Sequence, residues 1–377
     1  MTDFATKLIH NQGGIDPATG AVSVPIYQVS TFDQNVGNGD EYDYSRSGNP
    51  TRAALEAIIA ELEGGVAGFA FASGMAAVSA ALLLFEQGDH LIAPKDVYGG
   101  TYRMLTRGVS KWGISHTFVD TTDLRAIKAA LQPNTKGIVL ESPSNPLLKV
   151  SDLLEICAWA KEQGLISIVD NTFMTPYLQT PLQFGADIVV HSATKFLAGH
   201  SDVIAGLAVT ADKGLAGQLK FLQNALGGVL GPQDSWLTIR GIKTLKVRMD
   251  QSQASALQIA QALVKCPKVK AVYYPGLPEH PGHELLKKQA NGFGAVLSFE
   301  LESVELAKEL MAKVKIPALA VSLGGVESIL SYPATMSHAA IPAAVRHEFG
   351  ISDALVRLSV GLEDPQDLLE DMFAILK

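Results

Sequence analysis

From residue 67 to about residue 230 the chain alternates short, wholly apolar runs with longer amphipathic ones. The apolar runs are 67–72 (AGFAFA), 90–94 (HLIAP), 115–120 (SHTFVD), 137–142 (GIVLES), 166–171 (ISIVDN), 186–192 (ADIVVHS) and 204–210 (IAGLAVT). Helical periodicity fills the gaps, over 75–87, 99–112, 122–131, 151–163 and 214–226. Strands apolar on both faces are buried on both faces, so the pattern predicts a mostly parallel, seven-stranded sheet covered by helices. A step of about 25 residues from strand to strand is that of right-handed strand–helix–strand units. In such sheets ligands bind just beyond the carboxyl ends of the strands, which says where to look for chemistry.

Upstream, NPTRAALEAIIAELEGG reads as a helix. Asn49 caps it, Pro50 suits its first turn, Leu55, Ile58, Ile59 and Leu62 share one face, and Gly64 and Gly65 stop it. Residues 1–46 are polar and turn-rich with little period, an arm that does not fold alone and is either disordered or wrapped on another surface, such as a neighbouring subunit. Beyond LGGVLGPQDSW (226–236) the pattern changes. A helical stretch over 234–264 leads to VKAVYYPG, AVLSFELES, a helix near 303–313, ALAVSLG and ALVRLSVG. These strands alternate more, which predicts a smaller α+β unit whose sheet is solvated on one face. The expected division is an arm (1–46), a large domain (47–233) and a C-terminal α+β domain (234–377).

Composition narrows the function. A chain of 377 residues that is 47% hydrophobic and 18% charged has material for large cores and two or three domains. Its net charge of −8 and lack of a long basic run argue against nucleic acid or an anionic membrane as partner. Cys157 and Cys266 lie far apart without CxxC spacing, which speaks against a disulfide framework or zinc site and for a reduced, cytoplasmic setting. The start, MTDFATKLIH, lacks a basic-then-apolar signal, and the longest apolar run, MAAVSAALLLF, is about half a membrane span.

Three strand ends carry candidate chemistry. After the first comes Ser73-Gly74-Met75-Ala76, a small-residue turn opening a helix, suited to an anion such as phosphate. After ISIV comes Asp170, a carboxylate that burial makes costly without a cation or several donors. After ADIVVH come Ser192, Thr194 and Lys195, one strand–helix–strand step beyond Asp170. Singly, each has a plainer reading: tight strand–helix packing, a capping aspartate, a lysine with its ammonium in water. Together they supply a phosphate cup, a partner for a protonated ring nitrogen and an amine able to form a Schiff base, the parts needed to hold pyridoxal 5′-phosphate (PLP). Arg357, in the alternating strand LVRLSVG, shares a face with Leu355 and Ser359, opposite Val356, Leu358 and Val360. Its fork suits an α-carboxylate, and an ordinary strand ion pair is the other reading. His280 and His283, in HPGH, have no accompanying acid or cysteine, so no metal is expected.

The motifs DVYGGTYR, SPSNPLLKV, VDNTFMTPYLQTPLQFGADIVVHSATKFLAGHSD, YPGLPEHPGHELLKKQ, VSLGGVESILSYPATMSHA and LVRLSVGLED resemble, in order and over nearly the whole chain, the Cys/Met-metabolism family of PLP enzymes. The resemblance implies the type I, aspartate-aminotransferase-like fold and a homotetramer of two intimate dimers. It makes Lys195 the Schiff-base lysine and Asp170 the partner of the pyridine nitrogen. Tyr98 would stack on the ring and assist proton transfers, and Gly74, Met75, Ser192 and Thr194 would hold the phosphate. Tyr44 and Arg46, in YSRSGNPT, would reach the cofactor phosphate of a neighbouring subunit. Arg357, Asn145, Ser322 and Thr335 would bind the substrate carboxylate or orient Lys195.

The implied activity is carbon–sulfur lyase chemistry on a small sulfur amino acid: cleavage of L-cystathionine by γ- or β-elimination, with release of hydrogen sulfide from cysteine or homocysteine as a related reaction. Cystathionine γ-synthase, O-acetylhomoserine sulfhydrylase, methionine γ-lyase, an aminotransferase and a non-catalytic PLP-binding regulator are the competing readings. Val321 stands where many γ-lyases and γ-synthases of this family carry glutamate and some β-lyases carry tyrosine. Gly100 stands where methionine γ-lyases carry cysteine, which disfavours methionine as substrate.

Overall fold

A computed structural model describes residues 3–11, 15–16, 18–34 and 41–376; parts of the turn-rich arm lie outside this range. The larger sheet comprises β1 (Ala67–Phe71), β2 (His90–Pro94), β3 (Ser115–Val119), β4 (Thr135–Glu141), β5 (Ile166–Asp170), β6 (Ile188–Ser192) and β7 (Gly206–Thr210). Its order is β1-β7-β6-β5-β4-β2-β3. The five strands from β6 to β3 are parallel, and β7 runs antiparallel to both its neighbours. All seven expected strands are present, each within two residues of its predicted ends.

Register places the chemistry. Glu141 pairs with Asp170, and Asp170 with Val190, two residues before Ser192. The carboxyl ends of three adjacent strands therefore meet at one edge, and Lys195 follows the last of them.

Of the first two helices, one departs from the pattern read in the sequence and one follows it. A short first helix, α1 (Phe4–Ile9), lies inside the arm and buries Leu8, where no period was expected; six residues give too little repeat to read. In α2 (Pro50–Glu63) the Asn49 side chain accepts from Thr51 N and Arg52 N, and Gly64 leaves the helix at φ 76°, the left-handed end that glycine adopts without strain. Leu55, Ile58 and Ile59 on its inner face are fully buried. The expected helix over 99–112 is broken. After α3 (Gly74–Leu82), α4 covers only Gly99–Arg103, and a wider turn (Met104–Gly108) and a tighter one (Val109–Trp112) complete the segment.

The long helix expected over 234–264 is two, Pro232–Ile242 and Leu245–Val264. Buried Arg248 explains the break: its Nη2 donates to Gly241 O (2.8 Å) and its Nε to Thr244 Oγ1 (3.0 Å), capping the end of the first helix with a cation.

The smaller sheet, β8 (Val269–Tyr273), β9 (Val296–Leu301), β10 (Ala318–Leu319), β11 (Ile329–Ser331) and β12 (Leu355–Ser359), has the order β10-β11-β12-β9-β8. It is not solvated on one face as the alternation predicted. Leu297, Phe299, Val356 and Leu358 form a core with Ile259, Leu263, Leu310 and Leu368 from the flanking helices. The polar face packs on the loop after β4: Ser298 Oγ donates to Pro146 O (2.7 Å), and Arg357 reaches Asn145. The polar residues of β11 and β12 face protein, and both strands are buried throughout.

Candidate active site

Between the carboxyl edge of the large sheet and the polar face of the small one lies a cavity of about 920 Å³. Gly74, Met75, Tyr98, Asn145, Asp170, Ser192, Thr194, Lys195, Ser322 and Arg357 all line it. Thr335 does not; it is exposed on the loop after β11. Tyr44 and Arg46 also lie away from it. Arg46 Nη1 donates to Asn224 O (2.7 Å) and Oδ1 (2.9 Å), and its guanidinium stands 5.7 Å from the centre of the Tyr44 ring.

The Lys195 amine is part-buried and donates to Ser322 Oγ at 2.6 Å. Burial, with the nearby Arg357 charge, lowers its pKa from 10.5 to about 8, so an appreciable fraction is a free amine near neutrality. Ser322 is held at φ 100°, a conformation that costs a non-glycine residue of order 1–3 kcal/mol. The same loop needs Gly324 (φ 76°), where a Cβ would stand 2.6 Å from Phe196 N and 2.9 Å from the Lys195 carbonyl carbon. The serine–glycine loop thus lies directly against the lysine.

Arg357 is buried. Its Nη1 donates to Asn145 Oδ1 (2.8 Å) and its Nη2 to Ser322 O (2.9 Å), while Nε has no partner among the described residues. Five N–H groups on one fork leave donors free for a carboxylate. Lys195 and Arg357 therefore share Ser322 as an anchor, one on its hydroxyl and one on its carbonyl.

Asp170 Oδ1 accepts from Thr172 N (3.0 Å) and Thr172 Oγ1 (2.5 Å). Burial pushes its carboxyl up, against the lowering effect of those bonds and of His191. His191 lies fully buried with Nε2 2.7 Å from Glu63 Oε1, an oxygen that also accepts from Asn171 Nδ2 (3.0 Å). A carboxylate this deep, with no cation bonded to it among the described residues, is suited to a cationic ligand.

The phosphate cup also fits. Ser73 caps α3, its Oγ accepting from Ala76 N, and the first-turn N–H groups of Gly74 and Met75 have no acceptor within the helix. A Cβ at Gly74 would stand 2.8 Å from Ser192 Cβ, so only glycine lets the helix start this close to β6. The Thr194 hydroxyl is engaged with the Ala205 backbone at 3.0 and 3.2 Å. An anion cup, a deep carboxylate and a lysine of lowered pKa in one cavity match the three ends of PLP.

Residues 5–377 match the family described as Cys/Met metabolism PLP-dependent enzyme. The chain belongs to this family. It is 57% identical over 373 residues to cystathionine beta-lyase MetC of Bacillus subtilis, covering 99% of this chain and 96% of that protein. It is 55% identical over 370 residues to the cystathionine gamma-lyase of the same organism, covering 97% of each. The crystal structure of cystathionine gamma-lyase from Lactobacillus plantarum complexed with L-serine superposes at a TM-score of 0.98, with 49% identity over 99% of this chain and 98% of that one. The fold is that of the type I PLP enzymes, the cofactor is PLP, and the enzyme is a carbon–sulfur lyase acting on a small amino acid. Among the described residues no helix is long and apolar enough to cross a membrane, and no cluster of metal-ligating side chains occurs. His283 Nδ1 lies 2.8 Å from Pro275 O, and His280 Nδ1 accepts from Gly282 N.

Four residues of the site escaped the sequence reading. Glu141 lies beside Asp170 and accepts the Tyr98 backbone N–H (3.0 Å); an acid closing an apolar run was the available signal. Arg103 lines the cavity in the turn after Tyr98. Arg248 Nη1 donates to Phe196 O (2.7 Å), fixing the backbone just after Lys195. His338, buried and held neutral with a pKa of about 3, has Nε2 2.9 Å from Asn145 O.

Proposed function

We propose that the enzyme cleaves L-cystathionine by eliminating its thiolate, using Lys195 as the base and Arg357 as the anchor of the α-carboxylate. One observation carries this reading: the lysine amine and the guanidinium meet on Ser322, at 2.6 and 2.9 Å. A carboxylate held by Arg357, with Asn145 beside it, brings the adjoining Cα–H toward Lys195.

PLP, when bound, supplies an aldehyde for the substrate amine and a cationic ring that draws electrons from Cα. Asp170 keeps the ring nitrogen protonated. Gly74, Met75, Ser192 and Thr194 would hold the phosphate. Tyr98 covers the ring and moves protons at its exposed edge. Lys195, held beside the Arg357 anchor through Ser322, would take the Cα proton. Loss of sulfur from Cβ, the thiolate taking up a proton, releases homocysteine, and addition of one water to the three-carbon remainder yields pyruvate and ammonia. Removal of a second proton, at Cβ, allows loss from Cγ, which releases cysteine, and addition of one water to the four-carbon remainder yields 2-oxobutyrate and ammonia. Lys195 and Tyr98 serve both routes.

The size of the cavity and the charged groups Arg103, Asp202 and Glu327 on its wall suit a substrate with a second amino-acid head. Tyr44 and Arg46, exposed together and away from their own cavity, reach the phosphate of a second copy, in a cytoplasmic homotetramer of two dimers. Incubating purified enzyme with L-cystathionine and identifying the keto acid tests the function: pyruvate reports the β route and 2-oxobutyrate the γ route. Keto acid formed by neither route, with product appearing only after addition of a thiol or a homoserine ester, would replace elimination with replacement chemistry.

A further inference from the structure

We propose that Glu141 is a positioning residue of this site, holding Tyr98 in place through its backbone N–H. This rests on the reading of the cavity given above. Glu141 ends β4, lines the cavity and is buried. Its Oε2 accepts from Tyr98 N at 3.0 Å.

Tyr98 has little else to fix it. It precedes α4, a helix of five residues with no side-chain cap, too short to hold its own first turn. Its ring is 37% exposed, so packing does not lock it. The Glu141 carboxyl is thus what fixes the backbone of the residue expected over the ring.

The protonation state of Glu141 follows from its neighbours. The strand register sets it beside Asp170, and two buried carboxyls at adjacent strand ends do not both ionise. Burial, then the Asp170 charge, holds the Glu141 carboxyl well above the usual range. Asp170 keeps the negative charge for the cationic ring, and Glu141 serves as a neutral acceptor. A neutral acceptor can be replaced by an amide.

The test compares Glu141→Gln, Glu141→Ala and Glu141→Asp. Three quantities are read: circular dichroism induced in the visible band of the bound cofactor, kcat and KM with L-cystathionine, and the melting temperature of the cofactor-free chain. E141Q is expected within about threefold of the parent in kcat/KM, with the induced band unchanged. E141A leaves the Tyr98 N–H unpaired and lets the ring drift, lowering kcat about 10- to 100-fold and reducing the band, with a smaller effect on melting. If E141A fails to fold, E141D decides, since it keeps the acid but withdraws it from Tyr98; E141D impaired beside an intact E141Q supports the proposal. E141A equal to the parent, E141Q as impaired as E141A, or E141D intact overturns it. Should the parent enzyme release no keto acid, the proposed function fails, yet the induced band still decides the role of Glu141.

Discussion

Replacing Lys195 by methionine should make the cofactor-free chain more stable while ending its chemistry. The lysine amine is held in a cavity where burial and Arg357 lower its pKa from 10.5 to about 8. At ~1.4 kcal/mol per pH unit, that corresponds to a folded state destabilised by about 3 kcal/mol whenever the side chain is charged. Methionine keeps the apolar stem and removes the charge. It also leaves Ser322 Oγ without its 2.6 Å donor, a loss of about 1 kcal/mol, so the net gain is about 2 kcal/mol. For a chain of this length that is a rise of roughly 2–3 °C in melting temperature. The pH dependence carries a definite sign. Below about pH 8 the lysine is protonated in both folded and unfolded chains, and the gap between variant and parent is full. Between about pH 8 and 10.5 the unfolded chain holds more protons than the folded one, so the parent gains stability and the gap closes. Calorimetry of both cofactor-free proteins from pH 7 to 10 measures it. A K195M variant melting at or below the parent at pH 7, or a gap that widens with pH, would refute the argument that the amine is held at a cost.

Two further substitutions probe the ends of the ligand. Arg357→Lys keeps the charge but loses the planar fork that reaches Asn145 Oδ1 and Ser322 O from two separate nitrogens and leaves further N–H groups for a carboxylate. Loss of one charge-assisted bond, about 1.5–3 kcal/mol, predicts KM for cystathionine raised roughly 10- to 100-fold in steady-state kinetics, with cofactor still bound. Gly74→Ala puts a Cβ 2.8 Å from Ser192 Cβ and 2.9 Å from Ser192 Cα. Overpacking of about 1–3 kcal/mol moves the phosphate cup, so PLP affinity read by equilibrium dialysis falls about tenfold or more.

The parallel sheet was legible because strands buried on both faces leave an unbroken apolar run, and the rule that ligands gather at strand ends then picks out Asp170 and Lys195. The same rule covers Glu141, but as the last residue of GIVLE it was absorbed into the strand. Arg248 left no sequence trace, since it grips the carbonyls of Phe196 and Gly241, and a backbone acceptor has no side-chain signature. The alternation of β9 and β12 misled for a related reason. Ser298, Ser331, Arg357 and Ser359 look like a solvent face, yet each is buried against backbone or cavity. Alternation reports that one face is polar, and only the tertiary contact says what that polarity meets. Tyr44 and Arg46 are exposed within one copy, so their role rested on family resemblance alone.

Reduction of the enzyme with borohydride in the presence of PLP, followed by mass mapping, tests the central claim directly. The expected result is one pyridoxyl group, on Lys195, with the yellow colour and the activity lost together. A chain that stays colourless with PLP, or one labelled at other lysines while residue 195 remains unmodified, would contradict it.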